Sequence, residues 1–524
     1  MSASLSLIDQ VTASSVRNSL GSSNSGKYDA LAVSVWFVLR SVHLVGAVGL
    51  PTRPGLDRWS DVWSRRVGGL AGLAAGVRLV EAGYEPVIIE SRKILGGRAT
   101  SFVDRRSGAV VDNCQHVLLG CFTNLIDLYD RLGVLEAIEW HRTLYWTAGD
   151  GRIDRLKSGL LPAPMHLAGS MLRMGIFTGP EKRSLGRAMW RIIRMGAQGR
   201  EAWADRTFDE FLAECRQPRR LVEAFWNTVI RSACNLGVER VGAAAALFVF
   251  QQGYLGSRWS STMGLSRVPL SDLYDPAAGV IEAAGGEIRL GTAARGIAYD
   301  GQRVRGVVTT DGLVDAAAVI SAVPFDRLDR LVSGAMRKAD SRLQSLDRFQ
   351  VSPILGVHLH FETPVMDLPH LVLVGHGVQW FFNKGNVDAG RQHIHAVISA
   401  ADEWMPLSED RIIERVLEDL YRALPHAVGR KPVAARAIKE KRATFAATPG
   451  VDELRPRAAC GYVGLGGGGI ENLYLAGDWC DTGWPATMEG AVRSGYLAAA
   501  ALTGSGGVVD DVPPGFLARR LGLG

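Results

Sequence analysis

The chain has 524 residues, of which 47% are hydrophobic and 21% are charged, a composition typical of a soluble protein with more than one core. Its formal charge of +6 is too small for this length to indicate a nucleic-acid-binding protein. The six cysteines are scattered, without a CxxC pair or a histidine at zinc-finger spacing, which excludes the common zinc modules. We therefore expect reduced thiols in a cytoplasmic protein, with no metal centre and no nucleic-acid partner.

Residues 1–66 are an atypical leader. Residues 1–29 are polar and rich in serine, and residues 30–50 are apolar but carry Arg40 and His43 near their middle. A central arginine disfavours a transmembrane helix, and the apolar core of a signal peptide normally lies within the first ~15 to 30 residues. We expect an unstructured segment or the product of a reading-frame error.

Residues 68–90 predict a glycine turn, a helix and a strand, in that order. Apolar residues recur at helical spacing between Gly69 and Gly83, and the apolar run Pro86–Glu90 follows. In a dinucleotide fold such glycines let the backbone approach a pyrophosphate at the helix N-terminus. An acid about 20 positions later, here Glu90, binds the ribose hydroxyls.

The strand that should precede this turn is missing from the pattern. Val67 stands where the fingerprint has its first glycine, and Arg65 and Arg66 stand where a buried apolar strand should end. Three explanations remain open. They are a frame or start-site error before residue 67, which we favour, a degenerate flavin-free relative, and a working variant that uses another strand.

A second glycine pair, Gly96 and Gly97, is followed by Arg98. A second close backbone approach beside a fixed cation suits a cofactor that continues past its pyrophosphate. FAD is such a cofactor, and NAD fits the pattern less well. The alternative is a surface turn with a solvated arginine.

Residues 183–194 predict a basic amphipathic helix. Arg183, Arg187, Arg191 and Arg194 form one helical stripe, beside apolar residues that lie largely off it. Such a helix suits an anionic membrane surface, and the alternative is a solvated helix face.

The last predicted unit spans residues 472–502. A buried strand ends at Gly477 and Asp478, and a helix begins near Thr487, so a second helix N-terminus again follows a glycine turn beside an acid. Since about 400 residues separate this unit from Gly69, one nucleotide domain is expected to form from both ends of the chain. Short strands between residues 285 and 324 predict an antiparallel ribbon that returns to the sheet.

Further motifs carry a family resemblance. They are DNCQHVLLGCF (112–122), QWFF (379–382), KEKRATFAATPG (439–450) and GWPATMEGAVRSG (483–495). With the glycine motifs they make residues 67–505 resemble the FAD-dependent amine oxidase and carotenoid desaturase superfamily. Within it the chain most resembles the hydroxysqualene dehydroxylases of hopanoid biosynthesis. Phytoene-type desaturases, and other flavoenzymes of the superfamily, are the alternative.

The resemblance implies an α/β fold, with an FAD-binding Rossmann-like domain of glutathione-reductase type and an interleaved α+β substrate domain. The FAD-binding domain is expected at 67–120, 275–330 and 441–505, the substrate domain at 121–274 and 331–440, and a tail at 506–524. The implied FAD-binding residues are Gly68, Gly69, Gly72, Glu90, Gly96, Gly97, Arg98, Gly477, Asp478, Met488, Glu489 and Gly490.

The implied reaction removes an allylic hydroxyl from a polyisoprenoid lipid to give squalene. The hydroxyl must leave as water, which requires a proton donor in a dry, apolar pocket. His116 is the candidate donor, and Asp112 and Gln115 are candidates to orient it. Cys114 stands where the family pattern usually has glycine. The enzyme is expected at the inner face of the cell membrane, attached peripherally through residues 183–194.

Overall fold

The computed structural model describes the backbone of residues 35–39, and residues 69–387, 391–460 and 469–523. Residues 65–67 and the predicted cofactor residue Gly68 lie outside the described residues, as does the leader apart from 35–39. In the described part of the chain no helix has both the length and the apolar composition needed to cross a bilayer.

The strands are, in chain order, β1 Val35–Leu39, β2 Pro86–Glu90, β3 Ser101–Val103, β4 Val110–Asp112, β5 Val117–Leu119, β6 Ile138–His141, β7 Thr143–Thr147, β8 Asp154–Lys157, β9 Met263–Ser266, β10 Glu287–Leu290, β11 Ala294–Tyr299, β12 Val304–Thr309, β13 Gly312–Asp315, β14 Val319–Ser321, β15 Val351–Phe361, β16 His370–Leu373, β17 Trp380–Val387, β18 Arg391–Ser399, β19 Ala434–Phe445 and β20 Leu473–Leu475.

The α-helices are, in chain order, α1 Leu70–Glu81, α2 Thr123–Arg131, α3 Ala168–Arg173, α4 Gly179–Glu201, α5 Phe208–Glu214, α6 Arg219–Leu221, α7 Thr228–Cys234, α8 Ala243–Phe248, α9 Asp275–Ala283, α10 Phe325–Leu331, α11 Gly334–Ala339, α12 Glu409–Ala423, α13 Met488–Thr503 and α14 Phe516–Ala518.

A five-stranded sheet, in the order β10-β2-β1-β14-β20, joins both ends of the chain. β10 runs parallel to β2, and β14 runs parallel to β20. All five residues of β2 are buried, as expected for a strand covered on both faces. The turn, helix and strand predicted at 68–90 are confirmed in α1 and β2, and the predicted C-terminal helix is α13.

The central position of this sheet is occupied by β1, which runs antiparallel to both of its neighbours. The run VWFVL is rich in residues that favour strands, and it pairs with the backbone groups of β2 and β14 between which it lies. Residues 35–39 thus form a strand, while the nature of the leader as a whole stays a prediction. Of the three explanations for the missing first strand, the structure agrees with a variant that uses another strand.

A seven-stranded sheet, β19-β15-β18-β17-β16-β7-β8, forms the second layer, and helices α4 to α8 pack into a large core beside it. The predicted antiparallel ribbon is confirmed for β11, β12 and β13. β10 and β14, which flank the ribbon, belong to the first sheet instead. The strands β2, β10, β14 and β20 all fall within the segments predicted for the FAD-binding domain. The domain division itself stays a prediction.

Candidate active site

A large cavity lies between the two sheets, with an empty volume of about 2070 Å³ that includes its open mouth. β2, β14 and β20 run in the same direction, because β2 and β14 are both antiparallel to β1 and β20 is parallel to β14. Their carboxyl ends therefore meet at one edge of the sheet, where open α/β folds bind their ligands. The glycine turns at Gly69, Gly96, Gly97 and Gly477 line the cavity.

Two helices begin at this cavity. Gly69 is the N-terminal cap of α1, and Thr487 caps α13 by accepting a hydrogen bond from the Gly490 backbone N–H. Both capping residues line the cavity, together with Met488. Since the first N–H groups of a helix lack intrahelical partners, two such ends form a site suited to an anionic ligand such as a diphosphate.

Close contact between these helices depends on Gly495 in α13. A Cβ atom at this position would lie 2.2 Å from the carbonyl oxygen of Ala71 and 3.0 Å from the Cβ of Ala74. Any side chain at 495 would therefore separate α13 from α1. Gly495 lies in one of the motifs that carry the resemblance, but nothing in its local sequence indicates the contact with Ala71.

The second glycine pair places a cation in the cavity wall. Gly96 has a φ of +100°, and a Cβ there would lie 2.2 Å from the Ala99 carbonyl oxygen, so the turn requires glycine. Arg98 Nη2 pairs with Asp478 Oδ1 at 2.6 Å, and Arg98 Nη1 donates to the Ala443 carbonyl at 2.7 Å. Burial by itself lowers the pKa of Arg98, but the Asp478 carboxylate outweighs burial, and the pKa is raised.

Glu90 ends β2, and Asp478 follows β20. Both strands belong to the same sheet, and both acids lie at the same edge of it. Three strand spacings separate β2 from β20, or roughly 14 Å. The Glu90 carboxylate accepts hydrogen bonds from the Arg92 backbone N–H at 2.8 Å and the Ser91 hydroxyl at 3.0 Å. This arrangement agrees with the prediction that the two acids contact different parts of one extended cofactor, which stays a prediction.

Four predicted cofactor residues, Gly72, Glu90, Glu489 and Gly490, are absent from the cavity lining. Gly72 and Gly490 are buried within α1 and α13. The Glu489 carboxylate accepts hydrogen bonds from the backbone N–H groups of Asn124, at 3.2 Å, and Leu125, at 2.8 Å, at the start of α2. Glu489 therefore caps a helix, and a direct role for its carboxylate in cofactor binding is not supported.

His116 lines the cavity, as predicted for the candidate proton donor. Its Nδ1 lies 2.9 Å from the carbonyl oxygen of Cys114, so the neutral ring carries its hydrogen on Nδ1 and leaves Nε2 as an acceptor. Burial lowers the pKa of His116 below its usual value. At neutral pH the ring is mainly uncharged.

Asp112 and Gln115 do not orient this ring, and the carbonyl of Cys114 does so instead. Lys384 Nζ donates to Asp112 Oδ2 and to Gln115 Oε1, both at 3.1 Å. Asp112 Oδ1 accepts from the Ser101 hydroxyl at 2.7 Å. Burial by itself raises the pKa of Asp112, but the Lys384 ammonium and these hydrogen bonds lower it overall. Lys384, on β17, was missed because nothing in the local sequence indicates its partners.

Cys114 is accommodated without strain. Its side chain is buried against Phe382 and Val397, at a position where the backbone does not adopt a positive φ. Burial raises the pKa of this thiol to about 12, so Cys114 is not a thiolate nucleophile at neutral pH.

The far part of the cavity is predominantly apolar. Side chains from β7, β9, β17 and helices α7 and α8 line it, among them Leu144, Val229, Phe248, Met263 and Trp380. The cavity thus combines an end suited to a dinucleotide with an end suited to a hydrocarbon. Within the described residues no group of histidine, cysteine or acidic side chains could hold a metal ion.

Residues 70–503 match the family model of the flavin containing amine oxidoreductases. The chain belongs to this family. The match spans α1 to α13 and so includes both helix N-termini at the cavity. The predicted superfamily is confirmed, and the enzyme is a flavin-dependent oxidoreductase.

Two curated relatives of this chain have names that refer to different reactions. A 15-cis-phytoene desaturase from Synechococcus elongatus is 25% identical over 83% of this chain and 94% of its own length. A hydroxysqualene dehydroxylase from Rhodopseudomonas palustris is 27% identical over 82% of this chain and 96% of its own length. The two relatives are thus similar to this chain to nearly the same extent.

Solved structures show the same fold. A putrescine oxidase bound to putrescine has a TM-score of 0.64 at 18% identity and covers 84% of this chain and 99% of its own. An oxidoreductase from Methanosarcina mazei has a TM-score of 0.63 at 18% identity, with the same coverage. The predicted fold class is confirmed.

FAD, the cofactor of this family, fits the residues at the cavity. The backbone of Gly69 borders open space, since no atom lies within 4 Å of an added Cβ there, two helix N-termini lie at the cavity, and Arg98 supplies a fixed positive charge. The residues that would hold FAD are Gly69, Gly96, Gly97, Arg98, Gly477, Asp478 and Met488, with Glu90 at the ribose end. The flavin-free alternative loses its support, because the family is flavin-containing and the residues at the cavity fit FAD.

Proposed function

We propose that this flavoenzyme acts on a polyisoprenoid lipid and that its reaction is the reductive dehydroxylation of hydroxysqualene to squalene. Both named relatives support a lipid of this class, since their names refer to phytoene and hydroxysqualene. The apolar end of the cavity suits a long hydrocarbon chain.

The observation that carries the choice of reaction is His116 in the cavity wall, whose Nε2 is left as an acceptor. Its neighbour Gln115 already has protein partners, because its Oε1 accepts from Lys384 and its Nε2 donates to the His116 carbonyl. A hydrocarbon such as phytoene offers no hydrogen-bonding group to His116 Nε2, and burying a polar atom without a partner is costly. A substrate hydroxyl would satisfy this atom, so His116 favours an alcohol substrate.

When bound and reduced, FAD would supply the hydride equivalent by which a C–H bond replaces the C–O bond at the allylic carbon. The hydroxyl must accept one proton to leave as water. In its neutral form His116 accepts a hydrogen bond from the hydroxyl at Nε2 and so orients it, and in its protonated form it donates the proton from the same atom. Asp112 and Lys384 hold Gln115 beside it, and the apolar walls exclude water.

Desaturation of a phytoene-type substrate is the second candidate. It rests on the 25% identical phytoene desaturase, which aligns over as much of the chain as the dehydroxylase does. Both reactions use the same flavin and an apolar tunnel, so the fold does not separate them.

Attachment to an anionic membrane, at the inner face of the cell membrane, is part of this proposal. Arg183, Arg187 and Arg194 of α4 are exposed, as a membrane-facing stripe requires. Arg191 is instead paired with Glu214 at 2.8 Å. Leu185, Ile192 and Ile193, which are apolar residues beside the stripe, are buried in the protein core and do not face lipid. On this proposal α4 contributes to membrane binding through its exposed arginines and through the exposed Trp190.

The test is a product assay with purified protein carrying FAD. Photoreduced protein incubated without oxygen with hydroxysqualene should yield squalene, detected by mass spectrometry, whereas the oxidised protein should not. A parallel incubation of the oxidised protein with phytoene tests the second candidate. Turnover of phytoene without turnover of hydroxysqualene would transfer the assignment to a desaturase.

A further inference from the structure

A group of exposed apolar side chains lies close to the substrate end of the cavity. We call it the apolar rim, and it consists of Leu160, Leu161, Met165, Leu172 and Phe516. Leu160 is 97% exposed, and Leu172 and Phe516 are each 66% exposed. Single exposed apolar residues are common on protein surfaces, but a contiguous group marks a contact surface.

The rim is contiguous because two chain segments meet there. The backbone N–H of Gly159 donates to the carbonyl of His166 at 2.7 Å and closes the loop that carries Leu160, Leu161 and Met165. A Cβ at Gly515 would lie 3.9 Å from the Cβ of Ala163 in this loop, so the neighbouring Phe516 adjoins it. The C-terminal tail and the 159–166 loop thus form one surface.

The same two segments contact the cavity wall. His166 Nε2 lies 3.3 Å from the hydroxyl of Ser261, and Ser261 lines the cavity. Gly515 N–H donates to the Gly256 carbonyl at 2.9 Å, just beyond the cavity residue Tyr254. The segments that carry the rim therefore pack directly against the part of the chain that lines the cavity.

The charged side chains on the two segments that carry the rim are basic. Residues 155–180 and 512–524 contain no aspartate or glutamate, and of the acids that flank them Asp154 and Glu181 are buried while Asp510 is exposed. Five exposed basic side chains accompany the rim, namely Arg155, Lys157, Arg173, Arg519 and Arg520. Apolar side chains that can insert, accompanied by these cations, complement an anionic bilayer surface.

We propose that the apolar rim is the surface by which this protein docks on an anionic lipid bilayer, with the substrate end of the cavity facing the lipid. The rim supplies the inserting side chains that the buried apolar residues of α4 do not. Lys182 of α4 donates to the Leu172 carbonyl at 2.8 Å, so the start of the basic helix borders the rim. Docking rests on the membrane attachment that is part of the proposed function and assigns a surface to it, whereas entry of substrate from the bilayer rests also on the proposed lipid substrate.

The experiment measures flotation of the full-length, FAD-loaded protein with vesicles of equal parts phosphatidylcholine and phosphatidylglycerol. Leu160→Ser, Leu161→Ser and Phe516→Ser combined should weaken partitioning about 1000-fold, because each of the three inserted side chains contributes on the order of tenfold. Arg173→Gln, Arg519→Gln and Arg520→Gln combined should weaken it only with anionic vesicles and mainly at low salt.

The matched control replaces exposed apolar residues elsewhere. Leu313→Ser with Val428→Ser should change partitioning by less than about twofold, since both side chains are exposed but lie on β13 and after α12. The single variant Leu160→Ser, at a nearly fully exposed position, guards against loss of folding in the triple variant. Flavin content should be unchanged in all variants.

Wild-type partitioning by the rim variant would overturn the proposal, as would equal loss in the control. A dimeric wild-type protein that the rim substitutions convert to a monomer would also overturn it, because a second copy would then cover the rim. The vesicle assay contains no substrate. Turnover of detergent-dispersed hydroxysqualene tests the proposed function separately, so the two can fail independently.

Discussion

Arg98 and Asp478 form an ion pair of 2.6 Å between Nη2 and Oδ1, although 380 positions separate them in the sequence. The pair joins the turn after β2 to the turn after β20, on the cavity wall where FAD fits. Replacing Asp478 by Asn removes the charge that raises the pKa of Arg98. It should weaken FAD binding about tenfold, since breaking a partly buried charged hydrogen bond costs about 1–3 kcal/mol. Fluorescence titration of the deflavinated protein with FAD measures this.

The control for this variant is Asp481→Asn, which alters an exposed acid three positions away. FAD affinity should remain close to that of the wild type. Equal losses in both variants would show that net charge, and not the pair with Arg98, determines affinity.

Gly495→Ala should separate α13 from α1, because the added Cβ would lie 2.2 Å from the Ala71 carbonyl oxygen. Both helix N-termini line the cavity, so we expect a lower midpoint of thermal unfolding and a lower flavin content. Gly279→Ala in α9 is the matched control, since no atom lies within 4 Å of its added Cβ. It should stabilise the protein by roughly 0.5–1 kcal/mol. Full flavin occupancy in Gly495→Ala would contradict the assigned role of this contact.

Lys384→Met should lower turnover while flavin remains bound. The ammonium holds Asp112 and Gln115 together, and its loss leaves Asp112 Oδ2 without this donor and frees Gln115 in the cavity wall. We expect turnover to fall by at least about tenfold, in line with one lost charged hydrogen bond. Lys441→Met, at an exposed position on β19, should be active. Unchanged turnover in Lys384→Met would make Lys384 a purely structural residue.

Turnover of hydroxysqualene should increase as the pH falls. Burial lowers the pKa of His116 below its usual 6.5, so only a small fraction carries the proton at neutral pH. That fraction grows up to tenfold for each pH unit until the pH reaches the lowered pKa. His116→Gln should abolish this slope in the rate of flavin oxidation under single turnover. His376→Gln, at a position outside the cavity lining, should preserve it.

Acid should destabilise the fold through a buried group of histidines. His358 Nδ1 lies 2.9 Å from His393 Nε2, and His358 stacks on His395 at 3.9 Å between ring centroids. Burial lowers the pKa of all three, to about 3 for His358. In the unfolded chain the three histidines bind protons near pH 6.5, whereas in the folded chain they do so only at lower pH. The contribution of the neutral histidines to the free energy of unfolding is therefore complete above pH 6.5 and is lost on acidification towards pH 3.

Urea unfolding between pH 8 and pH 5 measures this loss. Each buried histidine contributes at most about 1.4 kcal/mol for each pH unit below its unfolded pKa. His393→Gln should reduce the slope by about one proton. The same slope in this variant would show that other groups bind the protons.

The sequence by itself determined the elements whose signals are local. The glycine turn, α1 and β2 could be predicted from helical and strand periodicity within about twenty residues, and so could Asp478 and α13. The resemblance predicted His116 as a site residue, because the motif DNCQHVLLGCF that contains it is likewise a local pattern in the sequence. These predictions succeed because backbone geometry and apolar spacing depend on near neighbours.

Only the tertiary structure decided which distant residues meet. Lys384 joins Asp112 across 272 positions, and β1 fills the centre of a sheet whose neighbours come from both halves of the chain. Leu185, Ile192 and Ile193 of α4 face the core and not lipid, because α5, α8 and the C-terminal tail pack on that face. Periodicity shows that a helix has two faces, but the neighbours that fold against it determine which face is buried.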